Sequence, residues 1–410
     1  MEILNAIAVL ITLSALFNYV NYRYIGFPTT IGIMVIALLV SLGVIALDAM
    51  GVKILGDTQN MVRSIDFNTT LMQGMLSFLL FAGALHVNID DLLKQKGAIL
   101  LLASVGVILS TFIIGAGAWY VLGFLGVELP FIYCLLFGAL ISPTDPIAVM
   151  GILKSAGAPK TLEIKIAGES LFNDGIAVVV FLVLLGIASG GHDISAGGIA
   201  LLFAEEAIGG IVLGLALGYV GFRLLKSVDN YQLEVMLTLA LVMGGYALAT
   251  LIHVSGPLAM VIAGLFIGNH GRMFAMSEHT REHVDQSWHL IDEVLNAILF
   301  LLIGIEILAI EYNSSFLIAG AILIPLTLCA RFISVAGLVS IMRRKRSFSP
   351  GAVKILTWGG LRGGISVALA LSLPAGAARD EILAITYVVV VFSILVQGLT
   401  VGKLIRSTQS

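Results

Sequence analysis

Apolar residues run through this chain in long blocks that short polar stretches separate. A helix needs about 20 apolar residues to cross the roughly 30 Å of hydrocarbon in a bilayer, and the blocks have this length. They predict membrane-spanning helices, because the alternating pattern of an outer-membrane barrel is absent. Thirteen spans, numbered 1 to 13 in chain order, are predicted at residues 3–20, 26–47, 70–88, 98–124, 130–152, 164–188, 197–222, 232–252, 256–269, 290–310, 316–342, 350–373 and 382–404.

Two of these spans are interrupted in their middle. Span 5 contains Pro143 and Pro146, and four glycines surround Arg362 in span 12. Such breaks leave backbone groups unpaired, which a membrane tolerates only where they face protein or a watery cavity. The two spans are seven apart, an odd number, so they cross the bilayer in opposite directions. Spans 4–6 and 11–13 are therefore predicted to be inverted-topology repeats whose interrupted helices cross at mid-membrane.

The composition agrees with this pattern. Of the 410 residues, 59% are apolar and only 11% are charged, and the mean hydropathy is +1.06. A soluble domain carries about 25% charged residues, so we predict an all-α polytopic membrane protein with one transmembrane domain over residues 1–410. The net charge of -3 suggests no nucleic-acid partner. Cys134 and Cys329 lie inside predicted spans, where we expect apolar fillers without a disulfide or metal role.

The basic residues predict the orientation, because Lys and Arg collect in cytoplasmic loops. Of the 22, seventeen belong to odd-numbered loops or the C-terminal tail, and only Lys53, Arg63 and Arg379 belong to even-numbered loops. The other two, Arg331 and Arg362, fall inside spans. This distribution predicts a multi-pass protein of the cell (inner) membrane with its N-terminus outside and its C-terminus in the cytoplasm.

The break in span 5 resembles the start of a second helix. Pro143 would end one half-helix, Thr144 or Asp145 would cap the next, and Pro146 would take its first position. The Asp145 carboxylate would then lie against positive half-helix N-termini, and Arg362 against negative C-terminal ends at the opposite break. Two roles remain open for Asp145, which are capping alone and capping combined with ion binding.

Span 6 carries the polar residues with the clearest chemistry. Glu169 with Asn173, and Ser170 with Asp174, are pairs at i and i+4 that share one broad helix face. An ionisable side chain at this depth is costly and points to a functional site. Asp174, Ser170 and the Thr144 hydroxyl, together with carbonyls of the unwound segment, offer the oxygen ligands that an alkali cation such as Na+ needs.

Alternative roles exist for the two carboxylates of span 6. The alternative role for Asp174 is to join helices through a buried hydrogen bond. For Glu169 a structural ion pair is favoured, because Arg331 and Arg362 are the only basic residues at membrane depth.

Several other titratable residues carry weaker signals. Glu205, Glu206 and Glu306 are expected near water at helix ends, and His86 in span 3 is expected to be a buried core histidine. The largest cytoplasmic loop holds four histidines among acidic residues, which is compatible with a pH sensor or simply with a solvated loop. These histidines are His270, His279, His283 and His289.

The motifs of spans 5, 6, 11 and 12 resemble those of the NhaP and NHE-type sodium/proton antiporters, the first subfamily of the monovalent cation/proton antiporters. With the thirteen-span layout, the resemblance covers nearly the whole chain. One position departs from it, because many relatives carry a glutamate in span 3 where this chain has Ala82. The matching segments are Ser142-Pro-Thr-Asp-Pro146, Gly168-Glu-Ser-Leu-Phe-Asn-Asp174, Cys329-Ala-Arg331 and Gly360-Leu-Arg-Gly363.

The resemblance implies a homodimer with a mobile core, formed by spans 4–6 (about 98–188) and 11–13 (about 316–404), and a dimerisation part formed by the other spans. It implies that Asp174 is the exchanging carboxylate, with three site residues near it. It also implies that Glu169 positions Asn173 and that two arginines act as counter-charges. The three nearby residues are Thr144, Asp145 and Ser170, and the arginines are Arg331 and Arg362.

The predicted activity is exchange of Na+, or of Li+, for H+ by alternating access, a reaction that serves pH homeostasis. Asp174 would bind either a proton or a cation, and this competition would couple the two fluxes at one cation per proton. A K+/H+ antiporter is the nearest alternative, and a cation channel is a more distant one. An enzyme is not expected, because Ser170 beside Glu169 has no histidine at depth to act as a base. No cofactor is expected apart from the transported ions.

Overall fold

The computed structural model describes residues 3–64, 67–145, 149–150, 152–153, 156–190, 196–310, 314–344, 348–349 and 351–409. Within these ranges the chain is helical, with turns between the helices and no strand. This all-helical architecture is the predicted one. The main helices, in chain order, are Ile3–Val20, Thr29–Ala49, Leu55–Ser64, Leu76–Leu85, Ile89–Leu101, Val107–Phe124, Phe131–Ile141, Lys160–Ala188, Ala196–Leu225, Tyr231–Leu251, Gly256–Phe266, Glu278–Glu306, Ser314–Met342, Ala352–Trp358, Gly364–Leu371, Ala377–Phe392 and Gly398–Gln409.

Five wider π-helical turns extend or join these helices, and helices often widen in this way near functional sites. One of them follows Val20, one precedes Leu76 in span 3, one lies inside span 4, one ends span 9 and one lies inside span 13. They are Asn21–Ile25, Thr70–Met75, Leu102–Gly106, Ile267–Gly271 and Ser393–Gln397.

Each predicted span has helical structure at its predicted place, but not every span is one long helix. In the described part of the chain, nine helices are long and apolar enough to cross a membrane alone. Span 3 adds a tenth crossing if its two parts, which meet at 43°, are taken together. Spans 5, 9 and 12 fall below the length criterion, because spans 5 and 12 are broken and the single helix of span 9 has 11 residues.

The predicted cytoplasmic loop over residues 270–289 is wrong for most of its length. Span 10 begins at Glu278, twelve residues before the predicted start, and ends at Glu306. Ser277 caps the helix by accepting a hydrogen bond from the Thr280 amide at 3.3 Å. Val284 and Trp288 are buried one turn apart, so the segment has an apolar stripe that polar neighbours hide in the sequence.

Several titratable residues differ from expectation. His86 is exposed and not part of the core, because span 3 ends at Leu85 and His86 follows the last turn. Glu306 ends its helix as expected, but its exposed fraction is only 5%, and Arg379 at the start of span 13 lies within electrostatic reach. Glu205 is exposed and Glu206 is half-buried, but both lie inside the helix Ala196–Leu225 and not at its end, where they were expected.

The helices pack in two groups that meet at span 6. Spans 4, 5 and 6 pack against one another and against spans 11, 12 and 13, whereas span 9 packs against spans 3, 7 and 8. Glycines permit close approach in both groups, as is common between membrane helices. A Cβ on Gly138 would lie 2.3 Å from the Thr111 carbonyl oxygen, and one on Gly214 would lie 2.5 Å from that of Ala259.

Candidate cation and proton binding site

The two interrupted spans cross where both are unwound. Span 5 is helical to Ile141, and Arg362 of span 12 donates from Nη1 to the carbonyl oxygens of Ser142 and of Pro143, the latter at 2.9 Å. In the opposite direction, the Asp145 amide donates to the Leu361 carbonyl oxygen at 2.7 Å. Each break therefore supplies partners for backbone groups that the other leaves open.

Span 13 forms hydrogen bonds with the unwound backbone of span 12. The Arg362 amide donates to Ser393 Oγ at 2.9 Å, and Gln397 Nε2 donates to the Trp358 carbonyl oxygen at 2.9 Å. Ser393 and Gln397 are the ends of the π-helical turn in span 13. The widened turn thus presents two polar side chains to the unwound segment, which keeps its buried groups satisfied.

Glycines make this crossing sterically possible. A Cβ on Gly363 would lie 2.3 Å from Asp145 Oδ2, and one on Gly360 would lie 3.0 Å from Arg331 Nε. The first distance is far below van der Waals contact. A larger residue than glycine at position 363 would therefore displace the Asp145 carboxylate.

Thr144 is hydrogen-bonded to side chains of span 6. Asn173 Nδ2 donates to Thr144 Oγ1 at 2.9 Å, and Asn173 Oδ1 accepts from the Thr144 amide at 3.3 Å. The Thr144 hydroxyl also shares a hydrogen bond of 2.9 Å with Ser170 Oγ. All three side chains are buried. The side chains of span 6 thereby fix the unwound backbone of span 5 next to Asp174.

Glu169 forms an ion pair with Arg331 of span 11. Arg331 Nη1 lies 2.5 Å from Glu169 Oε1, and the two side chains are 5% and 1% exposed. Arg331 Nη2 also donates to the Leu356 carbonyl oxygen at 3.3 Å. The hydrogen bonds described for Asn173 go to Thr144, so Thr144 contributes to its orientation, and positioning of Asn173 by Glu169 stays a prediction.

Asp174 and Asp145 line a common small cavity of about 90 Å³. Pro143, Gly363 and Ser366 contribute to the same cavity, and the exposed fraction of Asp174 is 6%. Two acidic side chains in so small a space make a site that favours a bound cation or proton. The predicted ligands Thr144 and Ser170 lie behind the cavity wall, where they are hydrogen-bonded to each other.

A wide vestibule of about 700 Å³ leads toward this cavity from one side. Gly83, Leu171 and Asp292 line both spaces. The vestibule wall carries acidic residues and histidines, and Ala82, at the position where relatives have a glutamate, is part of it. The charged residues of the wall are His86, Asp91, Lys160, Glu163, Asp285, His289 and Asp292.

Asp292 at the junction is the residue that the sequence analysis missed. Its Oδ1 accepts a hydrogen bond from Asn296 Nδ2 at 3.0 Å, one turn further along span 10. The rings of His86 and His289 lie 6.4 Å apart in the same vestibule. Asp292 is the third residue of the predicted span 10, so the sequence placed it at the membrane surface. Because the observed helix begins at Glu278, Asp292 lies near the middle of that helix.

One predicted feature falls outside the described residues. Residues 146–148, which follow the break in span 5, are not among them. The expected start of the second half-helix at Pro146, and the backbone amides that Asp145 would cap, therefore stay predictions.

The site geometry can be compared with known proteins. The family model described as "Sodium/hydrogen exchanger, transmembrane" matches residues 9–406, nearly the full length of the chain. The chain belongs to the sodium/hydrogen exchanger family. The crossing breaks, the buried Glu169–Arg331 pair and the cavity at Asp174 are thus features of an exchanger, and this family consists of transporters.

Curated exchangers are similar over most of their length. The Na(+)/H(+) antiporter NhaP of Pseudomonas aeruginosa (strain PAO1) is 54% identical, over 98% of this chain and 96% of the relative. The Na(+)/H(+) antiporter NhaH of Halobacillus dabanensis is 39% identical, over 83% of each chain. Both names describe the same transport reaction.

A solved exchanger has the same fold. The structure of the sodium proton antiporter MjNhaP1 from Methanocaldococcus jannaschii at pH 8 superposes with a TM-score of 0.77 and covers 100% of this chain and 99% of its own. The sequence identity is 19%, so this comparison concerns the fold alone. It agrees with the all-helical membrane fold that the sequence predicts.

Proposed function

We propose that this protein is a secondary active antiporter that exchanges Na+ for H+ across the cell membrane. The observation that carries the proposal is the small cavity beside the two broken helices, which Asp174 and Asp145 both line. Two relatives that the chain matches over most of its length are named Na(+)/H(+) antiporters, which favours sodium as the cation. K+/H+ exchange is the remaining alternative, because oxygen ligands alone do not fix the ion size.

Competition at Asp174 couples the two ions in this proposal. The carboxylate holds one proton or one cation, and only the loaded site crosses between the two sides. Asp145 adds a fixed negative charge to the cavity wall. The Thr144, Ser170 and Asn173 network holds the unwound backbone in place, and its oxygen atoms can reach the cation once a ligand draws them forward.

The three other charged residues serve as compensation in the proposal. Glu169 and Arg331 neutralise each other inside the core, and Arg362 offsets the carbonyl ends of the half-helix in span 5. None of the three lines the cavity, so each is assigned to structure and not to ion exchange. Neither an enzymatic activity nor a cofactor is part of this mechanism.

Spans 4–6 and 11–13 form the mobile core in the proposal, and the remaining spans form the part that joins two copies into a homodimer. The packing supports this division, because spans 4, 5 and 6 contact spans 11, 12 and 13 extensively. The vestibule opens beside Lys160, on the side of the basic loops. If the C-terminus lies in the cytoplasm and the N-terminus outside, as we propose, this vestibule faces the cytoplasm and the conformation is inward-facing.

The proposal is tested by transport with purified protein in liposomes that contain a pH dye. Adding Na+, Li+ or K+ in turn reports the cation preference of the wild-type protein. Asp174→Asn should abolish the pH response while the protein stays folded. Asp174→Glu should leave little activity, because its carboxylate moves by about 1 Å in a site that demands precise geometry. Sodium-dependent proton movement by Asp174→Asn at the wild-type rate would refute the mechanism.

A further inference from the structure

A second cavity lies on the outer surface of the core, away from Asp174. It is a groove of about 640 Å³ between span 11, the first half of span 12 and the end of span 13. Lys354 and Lys403 line it from two different helices, and Phe332 and Leu404 give it an apolar side. None of the mechanism described above uses this groove.

The charges of the groove are all positive. Both lysines are exposed, and the described lining contains no acidic side chain that would neutralise them. Two ammonium groups without an acidic side chain in the groove lining suit a ligand that is rich in acceptor oxygens.

The position of the groove relates it to the membrane surface. Lys354 lies in the first turn of its half-helix and Lys403 near the end of span 13, so both ammonium groups reach the level of lipid head groups. Trp358 lines the groove one turn below Lys354, and tryptophan favours this interfacial level. Phe332, which is 51% exposed, continues the wall toward the hydrocarbon.

We propose that this groove binds one anionic phospholipid, with its phosphodiester between Lys354 and Lys403 and an acyl chain against Phe332 and Leu404. The charge complementarity selects an anionic head group, since a zwitterionic one brings its own positive charge to the two lysines. The apolar wall selects a lipid over a soluble phosphate, because only a lipid buries hydrocarbon there.

The groove also borders the broken helix that carries the ion site. Trp358 Nε1 donates to Thr400 Oγ1 at 2.8 Å, and three residues beyond Trp358 the Leu361 carbonyl accepts the Asp145 amide. A lipid seated against Trp358 therefore braces the first half of span 12. We expect exchange to be faster in bilayers that contain the anionic lipid.

Binding is measured as the increase in melting temperature when lipid is added to the protein in a neutral detergent. Phosphatidylglycerol should raise the melting temperature of the wild type, and phosphatidylcholine should raise it less. The double variant Lys354→Ala/Lys403→Ala should need at least tenfold more phosphatidylglycerol for the same increase. The matched control is Arg223→Ala/Lys226→Ala, which removes two exposed basic residues at the end of span 7 and should respond as the wild type does.

Two further measurements separate the possible ligands. Ser407→Trp fills the groove and keeps both lysines, so it should also lose the response to phosphatidylglycerol. Glycerol phosphate supplies the same head-group chemistry without acyl chains and should have no effect at equal concentration. An equal response of the double variant and the wild type, or an equal effect of glycerol phosphate, would overturn the proposal. These assays do not require transport, so their outcome is independent of the proposed exchange activity.

Discussion

Glu169 and Asp174 are five residues apart on span 6 and differ in what surrounds them. Glu169 is in contact with Arg331, so its charge is compensated within the protein. Asp174 lines the cavity with another acidic residue, Asp145. In the proposed mechanism one helix therefore carries a permanent ion pair and an exchangeable site. Substitution of Glu169 should mainly impair folding, whereas substitution of Asp174 should mainly abolish transport.

Glu169→Ala should destabilise the protein more than Asp174→Asn does. Removing one partner of a buried pair leaves the other charge uncompensated and costs roughly 3 to 5 kcal/mol. Asp174→Asn removes a charge that has no arginine partner and keeps nearly the same shape. Melting temperature and yield of both variants in the same detergent are the measurements. An equal or higher melting temperature for Glu169→Ala would show that the pair does not stabilise the fold.

For individual residues, the sequence predicts which ones lie at the site, but it does not predict their hydrogen-bond partners. Depth and i, i+4 spacing are sufficient to select Glu169, Asn173 and Asp174. The partners depend on where the unwound backbone of span 5 passes, and no periodicity describes an unwound segment. The sequence therefore predicts Thr144 as a cation ligand but does not predict its hydrogen bonds to Ser170 and Asn173, which the structure shows.

The elements that matter most are the two broken spans, because neither is complete alone. Arg362 satisfies carbonyl groups of span 5, and Leu361 accepts the Asp145 amide. The prolines and glycines of the sequence predict that the breaks exist. The position of span 10 was predicted less well, because hydropathy ends at the membrane surface whereas helices continue beyond it as far as capping and packing allow.

Gly363→Ala tests the close approach of the two breaks. The added methyl group would lie 2.3 Å from Asp145 Oδ2, so the crossing must open. Overpacking of this kind costs typically 1 to 3 kcal/mol, and we expect at least a tenfold loss of exchange because the Asp145 carboxylate moves. The control is Gly337→Ala in span 11, where an added Cβ would meet no atom within 4 Å. Normal exchange by Gly363→Ala would contradict the described crossing.

The cavity at Asp174 opens toward the vestibule, on one side of the molecule. Gln286 is exposed and lines the vestibule beside Asp292. A separate cavity of about 770 Å³ lies between spans 3, 6, 8 and 9, where Thr250 and His253 line it. Asp174 does not line the cavity at Thr250 and His253, so among the described cavities the ion site connects with the vestibule alone.

Thiol labelling tests this orientation. In a Cys329→Ser background, Gln286→Cys should react with a membrane-impermeant reagent added from the cytoplasmic side, and Thr250→Cys should react from the outside. Both positions are exposed in the structure, and the other cysteine, Cys134, is buried. Labelling of both variants from the same side would refute the odd number of crossings between spans 8 and 10 and the predicted topology.

The exchange should be electroneutral, because only one group of the proposed core changes its charge. The loaded core has the same charge with a proton or with a sodium ion at Asp174, so the membrane potential does no net work on the cycle. Moving one uncompensated charge across the membrane would instead change the free energy by about 2.3 kcal/mol per 100 mV. In liposomes, the membrane voltage can be set by potassium and valinomycin. The sodium gradient that balances a fixed pH gradient should stay the same when this voltage is changed. A balance point that shifts with voltage would mean that a second titrating group crosses with Asp174.

The mutual support of the two breaks also has a consequence for biogenesis. Arg362 and its acceptor Pro143 are 219 residues apart in the chain. At about 5 to 20 residues per second, a ribosome needs roughly 10 to 40 s to make the intervening segment. Throughout this time the first break has no second break to bond with. Its carbonyl and amide groups must be hydrogen-bonded to water or shielded by the insertion machinery. The ion site is completed only when the last spans have been inserted.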